Sequence, residues 1–223
     1  MKLFLDTANL DEIKEIKRWG VLGGITTNPS LLSKEGRPWE QQMRDILDLV
    51  EGPVSLETTH TETEEILEEG LKLAAMGPNA VVKVAMTPNG LAAGKRLVDE
   101  GIRINVTLVF SPAQAILAAE IGAYIVSPFL GRIDDVGSDA MHALRQICDI
   151  YEKQRYETQV LAASLRHPMH VVEAGLAGAH IATLPFDVFE KLVKHPLTDL
   201  GLEKFLSDWR KLVEGTQEGR SVS

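Results

Sequence analysis

The sequence is short of cysteine, of uninterrupted apolar stretches and of positive charge, and each shortage removes a class of function. Cys148 is the only cysteine in 223 residues, so no intramolecular disulfide can form, which suits a reducing cytoplasm. Its surroundings, "ALRQICDIY", have the apolar spacing of a helix face and place it in a core. No apolar run approaches the roughly 20 residues needed to cross a bilayer. The opening "MKLFLDTANL" is broken by Asp6 too early to be a signal peptide. A formal charge of −9 argues against a nucleic-acid or membrane-surface role. It leaves room for an anionic substrate, because a local arginine cluster binds phosphate whatever the net charge. A soluble, cytoplasmic protein is expected.

Several motifs are also missing. There is no GxSxG elbow, no glycine-rich nucleotide loop, no paired-cysteine motif and no Pro/Gly/Ser-rich linker. The six histidines are His60, His142, His167, His170, His180 and His195. Only "RHPMH" brings two close together, with Pro168 between them, and these read as the start of a helix. Metal chemistry would want several histidines converging on one ion, so neither a metal nor a cofactor is expected.

What remains is a repeating pattern. Short apolar runs ("KLFLD", "LGGITTN", "PVSLE", "AVVKVA", "RINVTLV", "AYIVSP", "TQVLAAS", "AHIATLP") alternate with amphipathic stretches such as "LDEIKEIKRWG" and "DAMHALRQICDIYEKQ". Asn9 and Ser111–Pro112 have the form of helix starts, and Gly20, Gly101 and Gly122 of helix stops. Eight strand–helix units in this length imply an α/β protein, a (β/α)8 TIM barrel with extra C-terminal helices. An open doubly wound sheet is the alternative, but it favours a glycine-rich loop after the first strand, and "DTANLDE" has no glycine. The barrel and C-terminal helices are expected as one domain over residues 1–215, with a disordered tail over 216–223. In the last part, Phe205, Leu206, Trp209 and Leu212 recur at helical spacing. That face either covers the barrel or docks on a neighbouring subunit.

The polar residues within the runs follow one parity. Strand side chains alternate between faces, so residues two apart point the same way. Asn105 and Thr107 oppose Ile104, Val106 and Leu108; Ser55 and Glu57 oppose Val54 and Leu56; Lys83 opposes Val82 and Val84. Thr26 pairs with Asn28, and Ser164 with Arg166. A barrel needs its apolar faces against the helices, so the polar set should face inward. Asp6, Asn28, Glu57, Asn105, Thr107, Ser127 and Arg166 also sit late in their runs, where barrel enzymes keep their active sites. Singly, Asp6, Asn28 and Ser111 also suit helix caps, and Thr26 and Ser55 suit hydroxyls satisfied within a core. Together they define one polar mouth.

Lys83 stands out, one ammonium in the valine-rich run "AVVKVA". Burial favours the free amine, which can attack a carbonyl and form a Schiff base, an electron sink for breaking an adjacent C–C bond. A structural ion pair with Glu57 or Asp6 is the competing reading.

The blocks "FLDTAN", "GITTNPSLL", "VVKVAMTP", "INVTLVFSPAQAILAAEIGA", "VSPFLGRIDD" and "AASLRHPMHV" closely resemble the small transaldolase family, which includes the fructose-6-phosphate aldolases. The resemblance runs from "KLFLDTAN" to "FLSDWRKL" and implies a (β/α)8 barrel with class I, Schiff-base chemistry. It implies that Lys83 forms the Schiff base with the C2 carbonyl of a ketose phosphate. Asp6 would be the acid/base at the C4 hydroxyl, and Glu57 with Thr107 would hold a water for proton transfer. Asn28, Asn105 and Ser127 would bind the three-carbon fragment, and Arg132, Ser164 and Arg166 the distal phosphate. Thr26 and Phe129 fall among the substrate-contacting positions of the same blocks.

The resemblance further implies transfer of a dihydroxyacetone unit from fructose 6-phosphate to an aldose phosphate such as erythrose 4-phosphate, giving sedoheptulose 7-phosphate. That is a step of the non-oxidative pentose phosphate pathway. The aldolase branch typically carries glutamine, tyrosine and lysine where this chain has Glu57, Phe129 and Arg166, so transfer is expected and release of free dihydroxyacetone is the alternative. "SLETTHTET" departs from the more usual "SAEV", so Thr58 and His60 are expected to alter the rim. Relatives of this size commonly form pentamers or decamers, which implies a homo-oligomer.

Overall fold

The computed structural model describes residues 1–218. Eight parallel strands close into a barrel in sequence order: β1 (Lys2–Asp6), β2 (Leu22–Thr26), β3 (Val54–Glu57), β4 (Ala80–Ala85), β5 (Ile104–Val109), β6 (Ile125–Pro128), β7 (Gln159–Ala162) and β8 (Ile181–Leu184). Helices follow every strand: α1 (Leu10–Arg18) after β1, α2 (Pro29–Leu32) and α3 (Trp39–Leu49) after β2, and α4 (Thr63–Ala74) after β3. Next come α5 (Pro88–Asp99), α6 (Pro112–Glu120), α7 (Leu130–Asp135) with α8 (Ala140–Gln154), and α9 (Pro168–Leu176). The expected (β/α)8 barrel is the observed fold. Two helices follow β8, and α10 (Phe186–Val193) completes the eighth unit before α11 (Pro196–Glu218).

The chain divides into two compact units, Met1–Phe189 and Glu190–Ser223. The first holds the whole barrel. In the second, Phe205, Leu206, Trp209 and Leu212 lie exposed on α11. The tail expected over 216–223 begins within the last turn of α11, and residues 219–223 lie outside the described residues.

The strands build the barrel because their outward parity is apolar. Leu5, Ile25, Leu56, Val82, Val84, Val106, Val126, Val160 and Leu184 are all fully buried. Inside, two layers differ. Phe4, Ile125, Leu161, Ala163 and Ile181 pack together as an apolar plug, and the polar residues lie nearer the carboxyl ends of the strands. Gly24, the ladder partner of Phe4, makes room for that plug. A Cβ there would sit 2.5 Å from the Phe4 ring and 2.6 Å from the Pro53 carbonyl. Gly24→Ala is therefore expected to destabilise the barrel by about 1–3 kcal/mol through overpacking, lowering the thermal midpoint by several degrees. A melt that matches the parent protein would refute the close-packed floor.

Four helices begin with a capping side chain followed by proline, at Asn28–Pro29, Thr87–Pro88, Ser111–Pro112 and His167–Pro168. Each cap accepts from the backbone N–H three residues on, so the chain leaves the strand extended and turns sharply into its helix. Gly20, Gly101 and Gly122 end helices with φ between 76° and 79°, the left-handed region open to glycine. Cys148 is buried on α8, and burial pushes its thiol up to about 11, as suits a core residue.

Candidate active site

Strand register brings the predicted residues together. Asp6 pairs with Thr26, Thr26 with Ser55, Glu57 with Lys83, and Lys83 with Asn105, all on inward parity. Above the apolar plug lies a cavity of about 110 Å³, lined by Asp6, Thr26 and Lys83 of this set but not by Ser55, Glu57 or Asn105. Asp6, Thr26, Asn28, Lys83, Ser127, Phe129, Arg132 and Ser164 line it, with Leu161, Ala163 and Thr183.

Lys83 is 4% exposed, and its Nζ donates to Glu57 Oε2 at 2.9 Å and to the Thr27 carbonyl at 3.2 Å. The ion pair anticipated as the competing reading is thus present, and the same amine faces the cavity. A carboxylate in direct contact is also the group best placed to take a proton from the ammonium before it attacks a carbonyl. The lysine's own carbonyl accepts from the backbone N–H and the hydroxyl of Thr58, which ties the loop after Glu57 to the lysine strand. His60 is exposed and pairs with Glu69 at 2.9 Å, which holds its imidazole above the usual range. It lines a separate cavity of about 560 Å³ with Trp39, Met43 and Leu73, touched by Glu57 but not by Lys83. The smaller cavity is the candidate site because the Lys83 amine, the Asp6 carboxyl and the Arg132 guanidinium meet there.

Asp6 accepts from Thr26 Oγ1 at 2.7 Å. Burial pushes its carboxyl above the usual range and Glu57 adds to this, while Lys83 and the Thr26 hydroxyl pull it back. A carboxyl balanced in this way can take and return a proton. Asn105 is fully buried, donates to Ser55 Oγ at 3.1 Å and accepts from Ser127 Oγ at 2.7 Å. Both partners are hydroxyls, which can donate or accept, and the amide keeps a second N–H to offer. Asn28 sits at both a helix start and the cavity wall. Its Oδ1 caps α2 by accepting from Leu31 N at 3.0 Å, and the residue also lines the cavity. Among the described residues, Thr107 Oγ1 is the buried side-chain oxygen with no protein hydrogen-bond partner.

The rim is assembled by α7. The N–H groups of Leu130 and Gly131 donate to the Ala163 and Ser164 carbonyls, which holds Phe129 and Arg132 against the end of β7. A Cβ on Gly131 would collide with the Ser164 carbonyl and stand 2.6 Å from Arg166 Nε, so this approach needs glycine. The Arg132 guanidinium lies over the Phe129 ring, 5.0 Å from its centroid.

One expectation needs correction here, and one expected residue lies apart from the cavity. The alternation read across "VLAASLR" does not carry through. Leu161 and Ala163 hold the inward parity, and Ser164 reaches the cavity because its backbone turns left-handed, φ 59°, beyond the end of the strand. Arg166 does not line the cavity. Its two terminal nitrogens donate to the two oxygens of Asp135, at 2.6 and 2.5 Å.

Sequence reasoning missed Thr183 and the Thr27 carbonyl. Thr183 obeys the rule that found the others, lying two residues beyond Ile181 and late in its run. A backbone carbonyl leaves no signal in the sequence. Among the described residues, no three His, Cys, Asp or Glu side chains converge to hold a metal ion, and no helix is long and apolar enough to cross a membrane.

Comparison with known proteins decides the family. The family profile described as transaldolase/fructose-6-phosphate aldolase matches residues 3–216. The chain belongs to that family. It is 55% identical to an Aquifex aeolicus protein named "Probable transaldolase", over 96% of this chain and 99% of that one. It is 56% identical to a Bacillus cereus protein named "Probable transaldolase 1", over 96% and 100% of the two chains. A Coccidioides immitis structure named "putative fructose-1,6-biphosphate aldolase" superposes with a TM-score of 0.59 at 16% identity, covering 89% of this chain and 81% of that one. At that identity the likeness concerns the barrel alone.

Proposed function

We propose that this member of the transaldolase/fructose-6-phosphate aldolase family is a transaldolase. It moves a dihydroxyacetone unit from a ketose phosphate to an aldose phosphate through a Schiff base on Lys83. The observation that carries the reading is the Lys83 amine, buried at the base of the cavity, in contact with Glu57 and beside an Asp6 carboxyl held above its usual range.

Glu57 takes a proton from the Lys83 ammonium, and the free amine attacks C2 of fructose 6-phosphate. Loss of water from the carbinolamine gives the iminium. Glu57 supplies the proton for that departure, with the Thr107 hydroxyl holding the shared water. Asp6 then takes the C4 hydroxyl proton, the C3–C4 bond breaks, and its electron pair flows into the iminium to give an enamine. Glyceraldehyde 3-phosphate leaves. The enamine carbon attacks the aldehyde of erythrose 4-phosphate, Asp6 returns its proton to the new hydroxyl, and hydrolysis releases sedoheptulose 7-phosphate. Asn28, Asn105 and Ser127 hold the hydroxyls of the three-carbon unit, and Thr26 and Phe129 wall it in. Arg132 and Ser164 face the mouth, where the distal phosphate must lie. Arg166 joins them by sharing its guanidinium between the phosphate and Asp135.

The reaction belongs to the non-oxidative pentose phosphate pathway, a cytoplasmic setting that suits a lone buried cysteine. A homo-oligomer, a pentamer or decamer, accords with the exposed apolar side chains of α11. The deciding assay measures fructose 6-phosphate consumption with and without erythrose 4-phosphate. Consumption that depends on the acceptor supports transfer, and equal release of dihydroxyacetone without it identifies an aldolase instead. The Glu57→Gln, Phe129→Tyr double variant is expected to raise the free dihydroxyacetone fraction several-fold. Unchanged partitioning would remove these two side chains as the basis for transfer.

A further inference from the structure

The last strand brings one polar side chain to the cavity that the reaction sequence leaves unused. Thr183 is 2% exposed, and its Oγ1 lies 2.7 Å from Thr26 Oγ1, which in turn lies 2.7 Å from Asp6 Oδ1. Because β1 runs between β8 and β2, the two hydroxyls meet across the inner face of the strand that carries Asp6. A hydroxyl has one proton to donate, and an ionised carboxylate has none. With Asp6 ionised, Thr26 therefore donates to Asp6 Oδ1, and Thr183 donates to Thr26. The chemistry fixes the direction of both bonds.

We infer that Thr183 is a positioning residue for proton transfer at Asp6, acting through Thr26. Its hydroxyl keeps the Thr26 proton turned toward Oδ1, so that Oδ2 is the oxygen that takes the C4 hydroxyl proton as the C3–C4 bond breaks. The bonding pair passes to the enamine, the aldose phosphate departs, and the same Oδ2 proton returns when the acceptor adds. A proton on Oδ1 instead would turn the Thr26 hydroxyl away, and either Thr26 or Thr183 would then need another acceptor. The inference rests on the assignment of Asp6 as the acid/base.

The charged groups facing Asp6 are Lys83 and Glu57 within the barrel, and Glu12, Lys34, Glu35 and Asp187 around an adjoining cavity that Asp6 also lines. A substitution at Thr183 changes none of them, so a pH effect there reports the hydroxyl chain. In Thr183→Val, which keeps the shape and removes the hydroxyl, kcat with fructose 6-phosphate and erythrose 4-phosphate is expected to fall about 10-fold, a fraction of a general acid–base contribution. KM is expected to stay within about two-fold, and the acidic limb of the pH profile to move up, because the ionised carboxylate has lost support. Thr183→Ser should restore both kcat and the limb, and Thr183→Ala should repeat the shift if the valine variant folds poorly. Parental kcat and pH profile in a folded Thr183→Val or Thr183→Ala variant would overturn the proposal, as would failure of serine to rescue. Borohydride trapping with fructose 6-phosphate separates the two levels. An adduct on Lys83 in every variant confines a negative result to Thr183. No adduct in the unaltered protein removes the assignment of the site and this proposal with it.

Discussion

Lys83→Met is expected to lose at least about 10⁴-fold in turnover, and borohydride with fructose 6-phosphate should then add no mass to the protein. Methionine has nearly the length of lysine and is also unbranched at Cβ, so it can fill the same inward position and the barrel should still close. It cannot bond to Glu57 or to the Thr27 carbonyl, the two partners of the amine. Leaving the Glu57 charge without its partner should cost about 1–3 kcal/mol, less than for a fully buried ion because the Glu57 side chain is 16% exposed. Adding Glu57→Gln should return most of that stability and none of the activity. Thermal melts and mass spectra of the two variants therefore separate the lysine's place in the fold from its place in the chemistry. Residual turnover with a trapped adduct elsewhere in Lys83→Met would reject the Schiff-base assignment.

Asp6→Asn should reduce turnover by about 10³–10⁴-fold and change what borohydride traps. In the proposed mechanism the Schiff base forms at C2 without Asp6, whereas C3–C4 cleavage needs a base at the C4 hydroxyl. The adduct on Lys83 should therefore carry the intact six-carbon sugar phosphate instead of the three-carbon unit, a difference that intact-mass measurement reads directly. A three-carbon adduct formed at the parental rate would remove Asp6 from the mechanism.

The same variant has a pH signature in stability. The folded carboxyl binds its proton more tightly than an unfolded one, so the parent protein loses stability as pH rises from the ordinary carboxylate range to the raised folded value. Above that window the cost is constant. Asparagine removes it and can still accept from Thr26. Asp6→Asn should therefore melt at or above the parent's temperature at neutral pH, with the difference vanishing in acid.

The strand alternation in "AVVKVA", "RINVTLV" and "PVSLE" was enough to place Lys83, Asn105, Thr107, Ser55 and Glu57 inside the barrel. A sheet buried on both sides tolerates only one polar face, so parity alone assigns each side chain to a side. The cap-and-proline pairs that start four helices are equally local, because each depends on residues within four positions of one another. Ser164 escaped the same logic because a left-handed residue at the end of β7 breaks the alternation. Arg166 escaped it because its partner Asp135 lies on α7, 31 residues earlier in the chain.

Local chemistry in the sequence therefore determined the barrel, its capped loops and the residue types at its polar mouth. Those features follow from periods of two and 3.6 residues, from capping hydroxyls and from burial preferences, which a short window contains. Tertiary structure alone decided that the Lys83 amine rests on Glu57 and the Thr27 carbonyl, that Arg166 pairs with Asp135, and that Thr183 reaches Asp6 through Thr26. Each of these contacts joins segments that meet only when the barrel closes. Barrel closure brings β8 beside β1, and with it the Thr183 hydroxyl to Thr26, 157 residues away in the chain.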